Sequence, residues 1–454
     1  MAGKVFIGVD IGGTKIQASL ISETGKVLEA EREKTPRNGG PEAVCQTLEH
    51  VIDSLLKSSQ FDLRDVTALG VGVPGVVNPK TGEVIVTPNM SLAPFPLGQW
   101  LRDRFRIPAV VGNDCNLGTF GECWLGAGRG SRSAFGIFVG TGIGGGFVAK
   151  GKIWYGARMA AAEVGHIVMQ MGGPLCNCGN RGCLEALASR TAIERQLREA
   201  VAAGRGTVLT EWLTETDQLI RSSLLRDALE ADDALVKETL EKAAEVIGHA
   251  CLTIRHLFDP EVIILGGGVM EACGHFMLPI IQQVVADDKL PGAFRAGKLV
   301  ASLLQDNAVV LGAAALAGRV ARLKNFKRRA FRPANYPVLA AVKFGMISIG
   351  DRTYTSDVYI FPDGRVKKRK KGLARKTTGS SHLIGVEEIM QVCKWAPDVL
   401  FVGTGHASCA RLTPEANEWL ARMQVEVRPI ATPDLPVAFN QCEGRKAAII
   451  HVTC

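Results

Sequence analysis

The chain has 454 residues and a net charge of +8, with 46% apolar and 22% charged residues. This length predicts two to four domains with ample core, and the composition is that of an ordinary globular protein. No run of about 18 uninterrupted apolar residues occurs, and the apolar run before Asp10 is too short for a signal peptide, so we expect no membrane span and a cytoplasmic location.

The first predicted unit is a β-hairpin closed by a glycine-rich turn. Val5–Val9 is an apolar strand, Asp10–Lys15 is the turn and Ile16–Ile21 is the returning strand. Glycines in such a turn let backbone amides approach phosphate oxygens without interference from a Cβ atom. Asp10 offers a carboxylate that can hold Mg²⁺ through water. An ordinary hairpin turn is the alternative interpretation.

The next segments predict a helix, a strand and a polar strand end. Apolar spacing indicates a helix from Pro41 to about Lys57, and Ala68–Val73 is typical of a strand. Further along, Asn113 and Asp114 follow an apolar strand. Both side chains can hydrogen-bond a polyol, although Asn-Asp is also common at helix N-termini.

Near residue 135 the first pattern returns. Ala134–Val139 reads as a strand, Gly140–Gly146 as a glycine-rich turn and Phe147–Ala149 as the returning strand. A repeat after about 130 residues indicates two related lobes, each with a phosphate-facing hairpin. A third turn, Gly266–Gly268, follows the strand Val262–Leu265; a close strand-to-helix connection is its alternative interpretation.

Between Glu163 and Glu185 the sequence contains one histidine and three cysteines at metal-ligand spacing. One imidazole and three thiolates complete a tetrahedral set for zinc, which leaves no coordination position for a catalytic water. The intervening Gly179–Gly182 suits a tight turn. We therefore expect structural zinc; free buried cysteines beside a core histidine are the alternative. The remaining cysteines are expected as thiols of a reducing compartment.

Glu163-x-x-His166 and the run Cys-Asn-Cys-Gly-Asn-Arg-Gly-Cys-Leu-Glu (176–185) resemble the signature of the ROK family of repressors, open reading frames and sugar kinases. The other motifs extend the resemblance from Asp10 to about Ala317. It implies an α/β protein with the actin-like (ribonuclease H-like) two-lobe fold of sugar kinases. The expected lobes are residues 1–112 and 113–323.

The resemblance implies ATP-dependent phosphorylation of a hexose, with Mg²⁺ on the nucleotide and a structural Zn²⁺. Asp114 matches the catalytic aspartate of the family, which orients the sugar hydroxyl and accepts its proton. The residues expected at the sugar are Gly75, Asn89, Asn113, Glu163, His166 and Glu185. Those expected at ATP are Asp10, Gly12, Gly13, Thr14, Lys15, Gly140, Thr141, Gly142, Gly266, Gly267 and Gly268. The expected zinc ligands are His166, Cys176, Cys178 and Cys183.

Two departures from the family pattern bear on the substrate. Family glucokinases usually carry glycine before the glutamate of the E-x-x-H motif, where this chain has Ala162. The segment after Asn89 reads Met-Ser-Leu-Ala-Pro-Phe-Pro, where an aromatic residue is often found beside the sugar. Glucose is the leading acceptor, with an N-acetylhexosamine or fructose as alternatives.

Resemblance to the family also leaves a non-catalytic, sugar-sensing regulator as an alternative. Family repressors carry a helix-turn-helix ahead of the phosphate loop, whereas nine residues precede Asp10 here. The sequence therefore favours an enzyme. Because family members are often dimers or tetramers, we expect a homo-oligomer.

The C-terminal part predicts a separate small α/β domain. A basic, breaker-rich linker covers residues 324–336 and the domain covers 337–454; from Lys324 onward, 21 Lys and Arg face 11 Asp and Glu. Its expected elements are the strands Met346–Ile349, Asp357–Phe361, Val399–Val402 and Ala447–Val452 and the helices Val386–Trp395 and Pro414–Met423.

About 115 residues of this domain resemble a small family of largely unknown function that includes relatives of mitochondrial complex I assembly factors and of an adipogenesis-associated protein. The lysine-rich run Val366–Lys371 is typical of a solvated strand end. As a ligand site it would attract polyanions, such as the acidic face of a protein partner, while nucleic acid is not an expected partner.

Overall fold

The computed structural model of the protein describes residues 4–88, 90–214, 220–290, 297–321, 336–393 and 397–453. Its contacts divide the chain into two compact units, Met1–Gly128 with Arg132–Arg329 and Arg129–Ser131 with Ala330–Cys454. The boundary after Arg329 lies within the segment 324–336 that the sequence predicts as a linker. Separate clusters of buried apolar side chains form the cores of the two units.

The first unit alternates strands and helices. Its strands are β1 (Val5–Ile11), β2 (Lys15–Ser22), β3 (Val27–Lys34), β4 (Val66–Val73), β5 (Val76–Val77), β6 (Val84–Val86), β7 (Ala109–Asn113), β8 (Ser133–Val139), β9 (Ile143–Ala149), β10 (Lys152–Ile153), β11 (Val262–Gly266) and β12 (Lys298–Ala301). Its helices are α1 (Gly40–Ser58), α2 (Leu97–Phe105), α3 (Asp114–Leu125), α4 (Leu184–Ala188), α5 (Arg190–Ala202), α6 (Thr210–Thr214), α7 (Ser222–Glu230), α8 (Ala234–Phe258), α9 (Gly268–Ala286) and α10 (Ala308–Val320).

Two five-stranded sheets in this unit have the same strand order. The first sheet runs β3-β2-β1-β4-β7 and the second runs β10-β9-β8-β11-β12. In the first sheet β1 pairs with β2 as an antiparallel hairpin and, on its other side, with the parallel strand β4. In the second sheet β8 pairs in the same way with β9 and with β11. The internal repeat expected from the glycine-rich turns is therefore present, and the turns of both hairpins lie beside the carboxyl ends of parallel strands.

Helices α3 and α10 pack against each other and connect the sheets. α3 contacts β8 and β9 of the second sheet, while α10 contacts β1 and β4 of the first. A Cβ atom at Gly312 would lie 1.8 Å from the carbonyl oxygen of Leu117, so these helices approach more closely than any side chain at this position allows. The sequence-based lobe boundaries place α10 in the second lobe, whereas it packs on the first sheet.

The second glycine-rich turn is shorter than the sequence predicts. The returning strand begins at Ile143 rather than Phe147, and three of the glycines lie within β9. A Cβ atom at Gly144 would lie 2.4 Å from Sγ of Cys115 on α3. These glycines thus permit close packing of a helix on a strand, and only residues 140–142 form the turn.

Helix α9 is long and apolar enough, by length and composition alone, to cross a membrane. A helix in the core of a globular protein can have the same length and apolar composition. One side of α9 is buried, including Val269, Cys273, Met277 and Ile281, and the helix contacts α8, β8, β11 and β12. Packing inside the second lobe accounts for its apolar composition.

The second unit is a small α/β domain, as expected. Its strands are β13 (Leu339–Lys343), β14 (Met346–Ile349), β15 (Arg352–Tyr354), β16 (Val358–Ile360), β17 (Val366–Lys368), β18 (Leu383–Ile384), β19 (Val399–Gly403), β20 (Arg411–Leu412), β21 (Glu426–Ile430) and β22 (Lys446–Ile450). Its helices are α11 (Lys371–Thr378), α12 (Val386–Val392), α13 (Pro414–Arg422) and α14 (Leu435–Gln441). The main sheet runs β17-β16-β22-β19-β21.

The lysine-rich run of this domain divides into two kinds of residue. Lys367 and Lys368 are exposed on the edge strand β17, as the sequence predicts, but the Arg369 side chain is buried among charged partners. The expected helix from Val386 ends at Val392 in the described chain, and its last predicted residues, 394 and 395, lie outside the described residues.

Candidate active site and metal centre

The carboxyl ends of β1, β4 and β7 lie side by side in the first sheet. Asp10 on β1 pairs with Gly72 on β4, and Gly72 pairs in turn with Gly112 on β7. Parallel strands are spaced by about 4.8 Å, so residues in register across three strands share one edge of the sheet. This edge therefore holds Asp10 and, two residues beyond Gly112, the predicted catalytic residue Asp114.

Asn113 and Asp114 begin helix α3. The Asn113 side chain accepts a hydrogen bond from the Asn116 N–H at 2.9 Å, and its amide nitrogen donates to the carbonyl oxygen of Gly75 at 3.1 Å and to Oδ1 of Asp114 at 3.0 Å. The Cys115 N–H also donates to Oδ1 of Asp114, at 2.8 Å. Asn113 is thus a helix cap, and both of its amide hydrogens are used within the protein. Gly75 contributes a carbonyl group that orients it.

Asp114 and Asp10 are both held in surroundings that favour their protonated forms. Burial raises the pKa of Asp114 even though three neighbouring groups donate hydrogen bonds to it. Burial, followed by the charges of Asp114 and Asp306, raises the pKa of Asp10 to about 7, and the charge of Lys15 opposes this. A bound cation would relieve this repulsion, so the surroundings of Asp10 fit the expected Mg²⁺.

Glu163 joins the same group of acids from the second lobe. Burial raises its pKa; the charge of His166 lowers it, and the charges of Asp114 and Glu185 raise it further. Asp114 and Glu185 therefore each lie close enough to Glu163 to repel its charge. The folded chain therefore gathers carboxylates from three distant parts of the sequence, and such clusters of raised pKa are typical of functional sites.

Glu185 lies in the first turn of α4, directly after the last cysteine of the metal set. Its Oε2 accepts a hydrogen bond from the Ile143 N–H at 2.9 Å, and its Oε1 lies 3.7 Å from Sγ of Cys176. A Cβ atom at Gly142 would lie 2.3 Å from Oε2 of Glu185, so this contact requires glycine. Glu185 thus links the glycine-rich turn 140–142 to the cysteine cluster.

The four predicted metal ligands lie together. One ligand atom from each of His166, Cys176, Cys178 and Cys183 falls within 4.8 Å of all the others. The Sγ atoms of Cys178 and Cys183 are 3.7 Å apart, as are Sγ of Cys176 and Nδ1 of His166. Tetrahedral zinc with bonds of about 2.3 Å to sulfur and about 2.0 Å to nitrogen separates its ligands by about 3.5–3.8 Å. The geometry fits structural zinc.

The backbone of residues 176–183 forms a compact turn around the cysteines, called the knuckle below. The Cys176 N–H donates to the carbonyl oxygen of Asn180 at 2.8 Å, and the Gly179 N–H donates to that of Cys176 at 2.9 Å. Gly179 and Gly182 adopt φ values of 91° and 75°, as the sequence predicts for this turn. The Leu184 N–H donates to the carbonyl oxygen of Ile167 at 2.9 Å, which fixes the start of α4 and therefore Glu185.

The glycine-rich turns are open to solvent. Gly13 and Thr14 are exposed between β1 and β2, and Thr141 is exposed between β8 and β9. Lys15 Nζ lies 2.9 Å from Oδ2 of Asp306 with both side chains about half exposed, a type of ion pair that contributes little stability and leaves the lysine free to bind a phosphate.

The third turn lies next to the second. Gly266 pairs with Phe138 across β11 and β8, and Gly267, with φ of 87°, precedes the N-terminus of α9 at Gly268. Turns 140–142 and 266–268 therefore share one edge of the second sheet, where helix N–H groups can bind an anion. The last predicted sugar residue, Asn89, lies outside the described residues.

Sequence reasoning missed two residues that hold the turn 140–142. At the start of α5, Arg190 Nη2 donates to Oγ1 of Thr141 at 2.7 Å, and Thr191 Oγ1 donates to the Thr141 carbonyl oxygen at 2.8 Å. The available signal was their position, five and six residues after Glu185, where a short helix returns the chain to the same edge.

Comparison with known proteins finds relatives that match the first unit. A family model described as "ROK family" matches residues 6–320. The glucokinase of Thermotoga maritima is 34% identical over 311 residues, covering 68% of this chain and 96% of that protein. The DNA-binding transcriptional dual regulator NagC of Escherichia coli is 29% identical over 69% of this chain and 75% of that protein.

A solved structure gives the same result for the architecture. A ROK family glucokinase from Streptomyces griseus, in complex with glucose and AMPPNP, superimposes with a TM-score of 0.62 at 31% identity, covering 69% of this chain and 99% of that chain. The actin-like two-lobe fold that the resemblance implies is thereby confirmed. With its paired sheets, its glycine-rich turns and its E-x-x-H and cysteine motifs in the family's order, the chain belongs, over residues 6–320, to the ROK family.

Proposed function

We propose that the first unit is an ATP-dependent hexose kinase and that glucose is its leading acceptor. The single observation that carries this proposal is the gathering of Asp114, Glu163 and Glu185 beside the open glycine-rich turns, where burial and the charges of Asp114 and Glu185 raise the pKa of Glu163. Phosphoryl transfer needs an oriented hydroxyl, a proton acceptor and neutralised phosphate charge. These residues can supply all three.

In this mechanism Asp114 orients the sugar hydroxyl and accepts its proton as the phosphoryl group moves. Because burial raises its pKa, Asp114 is a stronger base than an exposed aspartate, which favours proton transfer from an alcohol. Glu163, Glu185 and the free ring nitrogen of His166 hydrogen-bond the other hydroxyls. Asn113 acts mainly by orienting Asp114, since its amide hydrogens are already used.

The nucleotide would be held by the backbone and side chains of the three glycine-rich turns. Residues 12–15 and 140–142 would bind phosphate groups, and residues 266–268 would lie by the adenosine. Asp10 would hold Mg²⁺, which supplies positive charge to the phosphates. His166 and the three cysteines would hold Zn²⁺, which keeps the knuckle rigid and so positions Glu185.

A coupled assay of ADP release over a panel of hexoses tests this proposal, with glucose, mannose, fructose and the two N-acetylhexosamines. We expect turnover on glucose and a loss of at least about a hundredfold in kcat for Asp114→Asn, the lower range for removal of a general base. Asparagine can still accept the Cys115 N–H, so the helix start is preserved. Greater turnover on an N-acetylhexosamine or fructose would reassign the substrate.

A sugar-responsive regulator is the second candidate, because the similarity to NagC covers the same part of the chain. Saturable binding of a hexose without turnover of any sugar, in protein that contains zinc, would support it and contradict the kinase proposal. Asp114→Asn would then leave the affinity for the hexose largely unchanged.

A further inference from the structure

The segment that follows the cysteine cluster holds the turn 140–142 from two sides. Glu185 accepts the Ile143 N–H, while the Arg190 N–H donates to the Gly140 carbonyl oxygen at 2.9 Å. The Arg190 guanidinium adds a third contact, to Oγ1 of Thr141. Arg190 is the first residue of α5, and the Ser189 side chain caps this helix by accepting the Ala192 N–H. The position of the arginine is therefore fixed by the backbone.

The charge of Arg190 has no counterpart among the described residues. Three other partly buried arginines of this unit, Arg195, Arg198 and Arg255, each pair with a carboxylate, as Arg198 does with Glu194 at 2.9 Å. Arg190 is also partly buried, but within the described ranges its side chain has only the neutral Thr141 hydroxyl as a partner. A guanidinium has five N–H donors, and in this structure one of them donates to the Thr141 hydroxyl. The remaining donors are available to an anion beside the turn.

We propose that Arg190 directly binds a phosphate group of the nucleotide at the turn 140–142. This inference rests on the proposed kinase function. Arginine recognises phosphate through its planar fork of donors, often in a bidentate manner, and its contact with Thr141 orients that fork before the nucleotide arrives. On the hairpin of the first lobe, Lys15 supplies a positive charge, and its half-exposed ion pair with Asp306 is weak enough for a phosphate to replace. Arg190 thus gives the second turn a positive charge of its own.

Calorimetric titration with AMPPNP and with adenosine tests the inference on the full chain. A hydrogen bond to a charged group is worth about 1.5–3 kcal/mol, so Arg190→Ala should bind AMPPNP about tenfold to a hundredfold more weakly. Adenosine, which lacks phosphate, should bind both proteins equally. Arg190→Lys should bind AMPPNP with intermediate affinity, since lysine keeps the charge but not the fork. The control is Arg64→Ala, which removes an exposed arginine that pairs with Asp62 and is distant in sequence from Arg190.

A second comparison separates phosphate binding from mere support of Thr141. Thr141→Val removes the hydroxyl that accepts from Arg190. If Arg190 binds phosphate, Arg190→Ala weakens AMPPNP binding in the Thr141→Val background nearly as much as in the native chain. If Arg190 only supports Thr141, the double variant binds AMPPNP as tightly as Thr141→Val alone does, and the inference is wrong.

The remaining outcomes are equally decisive. The role of Arg190 is overturned if Arg190→Ala binds AMPPNP within twofold of the native affinity. It is also overturned if this variant loses affinity for adenosine and for AMPPNP equally. In either case, turnover of a hexose by the native chain leaves the kinase proposal intact. A native chain that neither binds AMPPNP nor phosphorylates any hexose overturns both.

Discussion

At the scale of single residues, Asp10 shows how the site opposes the stability of the fold. Burial and the charges of Asp114 and Asp306 raise its pKa to about 7, from the ordinary aspartate value of 3.8. The folded chain therefore holds this proton more tightly than the unfolded chain does. Between about pH 4 and pH 7 this difference makes the free energy of unfolding fall as the pH rises.

Asp10→Asn should therefore stabilise the protein at pH 8 in magnesium-free buffer, by at most about 4 kcal/mol for a shift of about three pKa units. The gain should shrink toward zero near pH 4, where Asp10 is protonated in both states. Urea denaturation at the two pH values measures this. Equal effects at both values would show that Asp10 is not destabilised by its neighbours. Phosphorylation should be lost in the same variant.

Ala162 is strained where the family usually has glycine. It adopts φ of 66° immediately before Glu163. A left-handed conformation costs a residue with a side chain about 1–2 kcal/mol, and the extra flexibility of unfolded glycine offsets about 0.5–1 kcal/mol of this.

Ala162→Gly should therefore stabilise the chain by about 0.5–1 kcal/mol in urea denaturation. The matched control is Ala160→Gly, at an exposed position where φ is not positive, which should be neutral or destabilising. If both variants lose stability equally, the conformation of Ala162 carries no strain.

At the scale of elements, the knuckle and helix α4 form one mechanical unit. The knuckle supplies three of the four predicted metal ligands, and the hydrogen bond from the Leu184 N–H to the Ile167 carbonyl oxygen sets the start of the helix that carries Glu185. In small peptides, structural zinc sites contribute about 10–16 kcal/mol of apparent binding free energy. Loss of the metal should therefore loosen the knuckle and Glu185 together.

Cys178→Ser tests this coupling, because Cys178 is exposed and its replacement removes little packing. We expect one zinc per native chain by elemental analysis, less than one in the variant, and faster hydrogen exchange over residues 174–188. The KM for the sugar should rise at least tenfold, or about 1.4 kcal/mol. Cys409→Ser, at an exposed cysteine of the second unit, is the control and should retain zinc. A variant with native exchange would contradict the coupling.

At the scale of the whole molecule, a buried carboxylate of the second unit, Asp357, has a pKa shifted in the direction opposite to that of Asp10 in the first unit. In the second unit the fully buried Arg369 pairs with Glu388 at 2.6 Å and with Asp357 at 3.3 Å, and His451 Nδ1 lies 2.6 Å from Asp357. Burial alone would raise the pKa of Asp357, but the hydrogen bond and charge of His451, the Val452 N–H and Lys371 together lower it to about 2. This carboxylate therefore stabilises the unit above about pH 4 and ceases to do so as the pH falls toward 2.

Asp357→Asn should destabilise the second unit by about 3–5 kcal/mol at pH 7, the usual cost of leaving a buried charge without its partner. The difference from the native chain should narrow between pH 4 and pH 2. Hydrogen exchange over residues 336–453 reports on this unit separately from the first. A pH-independent difference would indicate that packing, rather than charge, accounts for the loss.

The sequence predicted the local parts of the site well. The hairpin of β1 and β2, the strand end at Asn113 and the knuckle 176–183 are all present, because each depends on residues close together in the chain, although the turn of the first hairpin covers residues 12–14 rather than Asp10–Lys15. The turn 140–146 was predicted too long, since the glycines of β9 serve packing against α3. Arg190 was missed because no local pattern marks an arginine whose partner lies 49 residues away.

The sequence by itself determined the repeated hairpins, the family and the clustering of one histidine and three cysteines, since glycine, cysteine and histidine at fixed spacing dictate local geometry. The tertiary structure alone decided which acids repel one another, which arginine lacks a carboxylate partner among the described residues, and that α10 returns to the first sheet. The physical reason is that pKa and ion pairing depend on burial and on charges brought from distant segments, and only packing of the whole chain brings those together.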